Sequence, residues 1–547
     1  MSTRMTRTPA AALVGLLIAA TVAACGPMGK ADPSNPGGWI TPSPATESSV
    51  ETTDAPTATG DLRGVRPRTI DDAVLGDLDA YVNESMARYR VPGVAVAVVQ
   101  DGTIVHLRGY GVAEVDGSEA VTPDTRMKIG SVTKSMTTLM IGTLDDEGAL
   151  GWETRATEIL PWFETSDPSI TAQLTVRDLV SNATGIANRD AEMVFNAGEL
   201  DAEGVVRSVS TFEFDPKSEF RKTFGYSNQM IASGGYVAAH AASGASDDLF
   251  ADYVSAMEAR VFGPIGMPAT TFSRDEVVAS DDYASPHAFN LDYSQPVVPA
   301  EVEDMFGPFA PAGAAWSTAR DLGAYLVTQL EHGVAPAGNR VVSAENLEKT
   351  WAKQVDIVEG FGYGLGWFAS SWKNQPRVGH GGDTIGFSSN VDFLPEADIG
   401  VAVILNVGGM SAYGAGVAER LYELAFDQPF EADGRVQKRF DDQRKAFADA
   451  HSLVQPLDPG ELAGYQGTYV NEALGEVELK LRGNTLVVDT GVVASELGAV
   501  GNGTYLFLNP PLTAAAIVLG PRERGGASIE FTMNRPDAPG SWTFVRR

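Results

Sequence analysis

Lys128-Ile129-Gly130-Ser131-Val132-Thr133-Lys134-Ser135-Met136-Thr137 is the stretch on which the reading of this chain turns. Met136, Leu139, Met140 and Leu144 follow at helical spacing, so a buried helix is expected from Ser131 to Asp145. Residues three apart on a helix share a face, which sets the Ser131 hydroxyl against the Lys134 amine. The helix start also directs unused backbone N–H groups and positive partial charge at the serine. A serine so placed is an activated nucleophile: Ser131 attacks, and Lys134 removes or holds its proton.

Ser-x-x-Lys alone is a weak signal. Two of the eleven lysines have a serine three residues before them, and the second pair is Ser370 and Lys373. That pair leads into Pro376 and reads as a hairpin turn. Context separates them. Tyr-x-Asn occurs three times, and only Tyr226-Ser227-Asn228 follows a Phe-Gly and precedes an apolar helix, at Met230 to Ala241. A loop tip before a helix can present a phenol and an amide to a cleft. One of the six histidines is followed by two glycines, in His380-Gly381-Gly382-Asp383. Glycines within a strand permit close approach of a ligand or another backbone.

The 547 residues suffice for two or three domains. A net charge of −31, from 40 basic and 71 acidic residues, argues against nucleic acid or anionic lipid as a partner. Arg4 and Arg7, the apolar run Ala10 to Ala20 and Val22-Ala23-Ala24-Cys25 read as a signal peptide over 1–24. Its ending resembles a bacterial lipobox. Cys25, the only cysteine, is then lipidated, and the protein is exported and anchored on the outer face of the cell membrane. Ordinary cleavage after Ala24 is the alternative. Residues 25–67, rich in Pro, Ser and Thr, read as a disordered tether. No paired-cysteine or His-Glu-x-x-His metal site and no phosphate-binding loop is present, so neither metal nor cofactor is expected.

Val94 to Val99 and Thr103 to Arg108 read as a hairpin around Asp101-Gly102, and Val391 to Phe393 and Ile399 to Leu405 as further antiparallel strands. The fold class expected is α+β: an antiparallel sheet flanked by helices, with a helical lobe, over 68–430. Residues 431–457 read as a connecting segment with a charged helix. Short strands from about 458 to 547 read as a small all-β barrel-like domain.

Ser131-x-x-Lys134, Tyr226-x-Asn228 and His380-Gly381-Gly382, in that order, resemble the penicillin-recognising serine hydrolases. The nearest branch resembles the class C β-lactamase-related group, which includes carboxypeptidases, D-aminopeptidases and esterases. Pro264 to Thr270, Ala312 to Leu322 and Tyr363 to Trp367 add to the resemblance, which spans about 68 to 430. The terminal domain is similar to lipocalin-like appendages in that group. The resemblance implies Ser131 as the acylated nucleophile, Lys134 and Tyr226 as proton carriers, and Asn228 orienting Lys134 or the substrate. It also implies an oxyanion hole from the Ser131 and Asp383 N–H groups. Lactamases usually carry Lys-Thr-Gly where this chain has His380-Gly381-Gly382. That points to simple esters or D-amino-acid amides rather than β-lactams. A true lactamase or carboxypeptidase, and an inactive protein binding peptidoglycan fragments, are the alternatives. The expected partner is a small ester or peptide, with membrane contact through the lipid anchor only; the sequence leaves the oligomeric state open.

Overall fold

The computed structural model of the chain describes residues 60–186, 191–195, 200–244, 246–455, 463–472, 474–520, 528–533 and 540–547. Cys25, the expected signal peptide and most of the expected tether lie outside them. Helix α1 (Asp72–Tyr89) leads into the hairpin of β1 (Gly93–Gln100) and β2 (Thr103–Gly111), followed by α2 (Thr133–Asp146), α3 (Asn228–Ser243) and α4 (Ala319–Leu330). Then come β3 (Val355–Val358), β4 (Phe361–Tyr363), β5 (Phe368–Trp372), β6 (Gln375–Asp383), β7 (Ser388–Leu394) and β8 (Ile399–Leu405). Helices α5 (Ser411–Ala425) and α6 (Ala432–His451) close the unit.

The eight strands form one antiparallel sheet in the order β2-β1-β8-β7-β6-β5-β4-β3. Alternation along β1 explains why helices cover both faces. Val94, Val96 and Val98 point into one core with α1, α5 and α6. Ala95, Ala97 and Val99 point into the other, with α2 and α4. The small side chains let α4 come close: a Cβ on its Gly323 would lie 3.3 Å from that of Ala97. Glycine serves the same end in α3, where a Cβ on Gly235 would meet Thr137 of α2 at 2.9 Å. That close crossing brings the start of α3 to the start of α2.

Two expected boundaries are corrected. Residues 62–66, assigned to the tether, belong to the folded body: Leu62 is buried, its N–H donates to the Lys373 carbonyl (2.8 Å), and the Gln375 amide donates to the Val65 carbonyl (2.8 Å). The segment expected to connect two domains is largely α6, whose Val436, Phe440 and Phe447 are buried in the same core as β1.

Eight consecutive strands, from Gly467–Asn471 to Gly540–Arg546, close into a barrel. It is joined to the larger unit by shared core. Leu506, Ala514 and Ala516 pack with Phe289 and Leu291, and Phe195 is buried among Tyr469, Val477 and Phe544 of the barrel. Thr513 Oγ1 donates to the Phe289 carbonyl (3.0 Å). Among the described residues no helix is long and apolar enough to cross a membrane.

Candidate active site

Residues Gly130–Val132 form a single 3-10 turn that runs into α2, so Ser131 sits just ahead of the helix. Gly130 supplies the left-handed backbone that the entry requires (φ 50°). The next residue on the same face, Lys134, is fully buried. Its Nζ donates to Ser131 Oγ (2.9 Å), Asn228 Oδ1 (2.6 Å) and the Ala312 carbonyl (2.6 Å). Three acceptors surround the amine, which can hold three protons, or hold two on Asn228 and Ala312 and turn its lone pair to Ser131 Oγ. The Tyr226 hydroxyl is 2.9 Å from Ser131 Oγ, and Lys134 Nζ lies 4.9 Å from the centre of the Tyr226 ring. Ser131 Oγ is therefore shared by two groups able to carry its proton.

Asn228 is the first residue of α3, whose cap is Ser227. The Tyr226 loop is held from the opposite side by Asn182, in Ser181-Asn182-Ala183-Thr184-Gly185. Its Oδ1 accepts from the Ser227 N–H (3.0 Å) and its carbonyl from the Gly225 N–H (2.8 Å). Asn182 itself is left-handed (φ 56°), a conformation that asparagine tolerates better than most residues.

On the sheet side, the end of β6 supplies the remaining groups. The Thr384 N–H donates to the Phe387 carbonyl (2.9 Å), which fixes the phase of the β6–β7 ladder. Gly382 opposite Ser389 is then the next hydrogen-bonded pair, and Asp383 opposite Ser388 a non-bonded one. The Asp383 N–H consequently turns off the ladder toward the serine. A Cβ on Gly130 would lie 2.8 Å from the Asp383 nitrogen, and one on Gly382 would lie 3.0 Å from the Ser131 nitrogen. Gly382 is required here, because the same Cβ would strike the Ile129 carbonyl at 2.1 Å. At Gly381 a Cβ would come 3.2 Å from that of Ser411, so the threonine of a Lys-Thr-Gly pattern would crowd α5.

His380 is buried among Tyr226, Tyr363 and Phe368. Its Nδ1 lies 2.6 Å from the Gly381 carbonyl and its Nε2 3.3 Å from the Tyr363 hydroxyl. A carbonyl only accepts, so Nδ1 carries the proton and Nε2 accepts from the phenol. Burial, and then the nearby Lys134, push His380 down to about 3. The imidazole is neutral and adds no positive charge beside this serine. Burial pushes Asp383 up to about 6, opposed by bonds from Ser388 and Ser411 and by Arg439 of α6.

The structure thus gathers Ser131, Lys134, Tyr226, Asn228, His380, Gly381, Gly382 and Asp383 where the starts of α2 and α3 meet the end of β6; Cys25 lies outside the described residues. Sequence reasoning missed the Ala312 carbonyl, Asn182 and Tyr363. Ala312 and Tyr363 lie in segments that carry the resemblance, but a backbone acceptor and a phenol packed on an imidazole leave no spacing signal, and neither does a loop brace such as Asn182. The other Ser-x-x-Lys pair lies across a β5–β6 hairpin turn, where Trp372 pairs with Gln375. Among the described residues no group of His, Cys, Asp and Glu is placed to hold a metal ion.

Comparison with known proteins bears on the family and the fold. The family described as Beta-lactamase matches residues 78–426. The chain is 25% identical over 433 residues to unguisins hydrolase ungD' of Aspergillus campestris, covering 74% of this chain and 77% of that one. It is 28% identical over 329 residues to penicillin-binding protein 4 of Amycolatopsis lactamdurans, covering 59% and 82%. Among solved structures, the octameric penicillin-binding protein homologue from Pyrococcus abyssi shares the fold, with a TM-score of 0.57 at 20% identity over 86% of this chain and all of that one.

Proposed function

The chain belongs to the beta-lactamase family, and on that premise we propose that it is an exported serine hydrolase acting through an acyl-enzyme on a small ester or amide. The observation that carries the reading is the shared position of Ser131 Oγ, 2.9 Å from both Lys134 Nζ and the Tyr226 hydroxyl. With Lys134 as the free amine, its two remaining N–H protons on Asn228 and Ala312, Ser131 Oγ adds to the substrate carbonyl carbon and its proton passes to Lys134 Nζ, with Tyr226 in place to relay it. The carbonyl oxygen takes the negative charge in front of the Ser131 and Asp383 N–H groups. Each such donor is worth about 2.7–4 kcal/mol. The tetrahedral centre collapses, the bond to the leaving alcohol or amine breaks, and the pair returns the proton to that group. Water then repeats the sequence on the acyl-Ser131 ester and releases the acid.

The neutral His380 supports a substrate without a fixed carboxylate at that position. A permanent cation beside a hydroxyl suits such a carboxylate, and a buried neutral imidazole beside two glycines does not. Short-chain esters and D-amino-acid amides fit this better than β-lactams. The leader and Cys25 support export and lipid anchoring: Cys25→Ala is expected to move the protein from the membrane to the soluble fraction.

The test is acylation of the protein by a fluorophosphonate, with the adduct located by mass spectrometry. The adduct is expected on the peptide holding Ser131. No adduct, or one on Ser370, overturns the proposal. A panel of p-nitrophenyl acetate, a D-amino-acid anilide and nitrocefin then tests the substrate class; the highest kcat/KM on nitrocefin overturns the preference.

A further inference from the structure

The chain places a buried ion pair beside the oxyanion hole. Lys128 lies three residues before Ser131, in a two-residue strand that pairs it with Trp316. Glu303 lies in the 3-10 helix Ala300–Phe309. Both are almost completely buried. Lys128 Nζ donates to the Glu303 carbonyl and lies 3.9 Å from Glu303 Oε2. Phe306 and Trp316 enclose the ammonium, with ring centres at 5.3 and 5.4 Å. The other carboxylate oxygen, Oε1, accepts from the Gly386 N–H (2.7 Å) and from Thr384 Oγ1 (3.1 Å). Thr384 and Gly386 belong to the turn that follows Asp383.

The pair thus grips both halves of the hole: Lys128 leads into the Ser131 amide, and Glu303 ties down the turn behind the Asp383 amide. Stability alone is a poor reason to keep it. A buried ion pair is often no better than apolar residues of similar volume, because desolvation offsets the attraction. Burial also pulls both groups toward their neutral forms, Lys128 down to about 8 and Glu303 up, with Asp304 and Arg274 the other charges facing Lys128. Oxyanion stabilisation, by contrast, depends on donors fixed before the reaction begins. We infer that Lys128 and Glu303 are positioning residues that fix the spacing of the Ser131 and Asp383 N–H groups for the tetrahedral oxyanion.

This inference rests on the proposed acylation of Ser131. Removing one partner strands a buried charge and can unfold the protein, so two double variants carry the test. Both Lys128→Met/Glu303→Gln and Lys128→Met/Glu303→Leu remove both charges. Only the former retains an oxygen able to accept from Gly386 and Thr384. With folding checked by circular dichroism and Tm, kcat and KM for p-nitrophenyl acetate and the inhibition constant of phenylboronic acid are compared. The leucine double variant is expected to have a kcat about 10–100-fold below the glutamine one, with KM within about threefold and boronate binding weakened in parallel. Equal kcat in two folded doubles overturns the inference, as does a loss confined to KM. Failure of the unaltered protein to acylate at Ser131 would instead overturn the proposed function.

Discussion

The same four-residue spacing occurs twice in this protein, and its two environments differ in every respect that matters to chemistry. Ser131 and Lys134 lie on one face where a buried helix begins, and the lysine amine is held among three protein acceptors, Ser131 Oγ one of them. Ser370 lies in strand β5 opposite Arg377, and Lys373 occupies a left-handed turn (φ 45°) with its amine 3.5 Å from Glu431. Strand neighbours alternate faces, so Ser-x-x-Lys across a hairpin gives no shared face. A nucleophile needs the spacing, the helix that makes the spacing a contact, and the burial that leaves the amine no water.

The largest expected effect separates the two pairs directly. Ser131→Ala should lower kcat on p-nitrophenyl acetate by a factor on the order of 10⁶, as removal of a nucleophile does elsewhere. Ser370→Ala should leave kcat/KM within about twofold; equal losses at both positions would break the comparison. Next come the lysines. Lys134→Met removes the proton carrier, worth about 10²–10⁴ in rate. It also strands the buried Asn228 and Ala312 acceptors, so Tm should fall with activity. Lys373→Met breaks a surface pair worth about 0–1 kcal/mol and should change Tm little.

A smaller effect should sharpen what context means at Ser131. Asn182→Ala removes the bond that its side chain accepts from the Ser227 N–H and strains a left-handed backbone. A loss of about 1–3 kcal/mol in urea unfolding is expected, with a fall in kcat larger than in Ser370→Ala. At neutral pH the smallest effect concerns charge, and it grows only as the solution is acidified. His380 lies near 3 in the folded chain, below its ordinary value of 6.5, so the folded state binds fewer protons than the unfolded one between those values. Its contribution is complete above about pH 6.5 and is lost as pH falls toward 3, at up to about 1.4 kcal/mol per pH unit. His380→Leu should flatten that stretch of the stability profile, and the kcat/KM profile should show no ionisation of His380 near 6.5. An unchanged unfolding slope would contradict a neutral buried imidazole.

Much of the fold could be read from local pattern. The β1–β2 hairpin, the helix after Ser131, the helix after Tyr226 and the closing strands follow from period and turn residues, and the structure places them within a few positions of expectation. The short strands after 458 pointed to a barrel, and a closed one is found. The domain edges were less legible. Leu62 in a Pro- and Thr-rich stretch and the apolar stripe of a highly charged α6 carry weak periodic signals, and their burial comes from surfaces elsewhere in the chain. The same holds for Phe195 in the barrel core, which nothing near it in sequence announces.

By itself, the sequence determined which residues could do chemistry and in what order, because helix spacing, glycine freedom and side-chain type act over a few neighbouring residues. Only the tertiary structure decided that they meet. Lys134 reaches Asn228 across 94 positions and the Ala312 carbonyl across 178, and Lys128 reaches Glu303 across 175. It also decided the charge of the site in acid, since His380 stays neutral well below 6.5 only through burial against aromatic rings and the neighbourhood of Lys134. The reason is physical: a hydrogen bond or a desolvation cost depends on distance and enclosure, and neither is set by position along the chain.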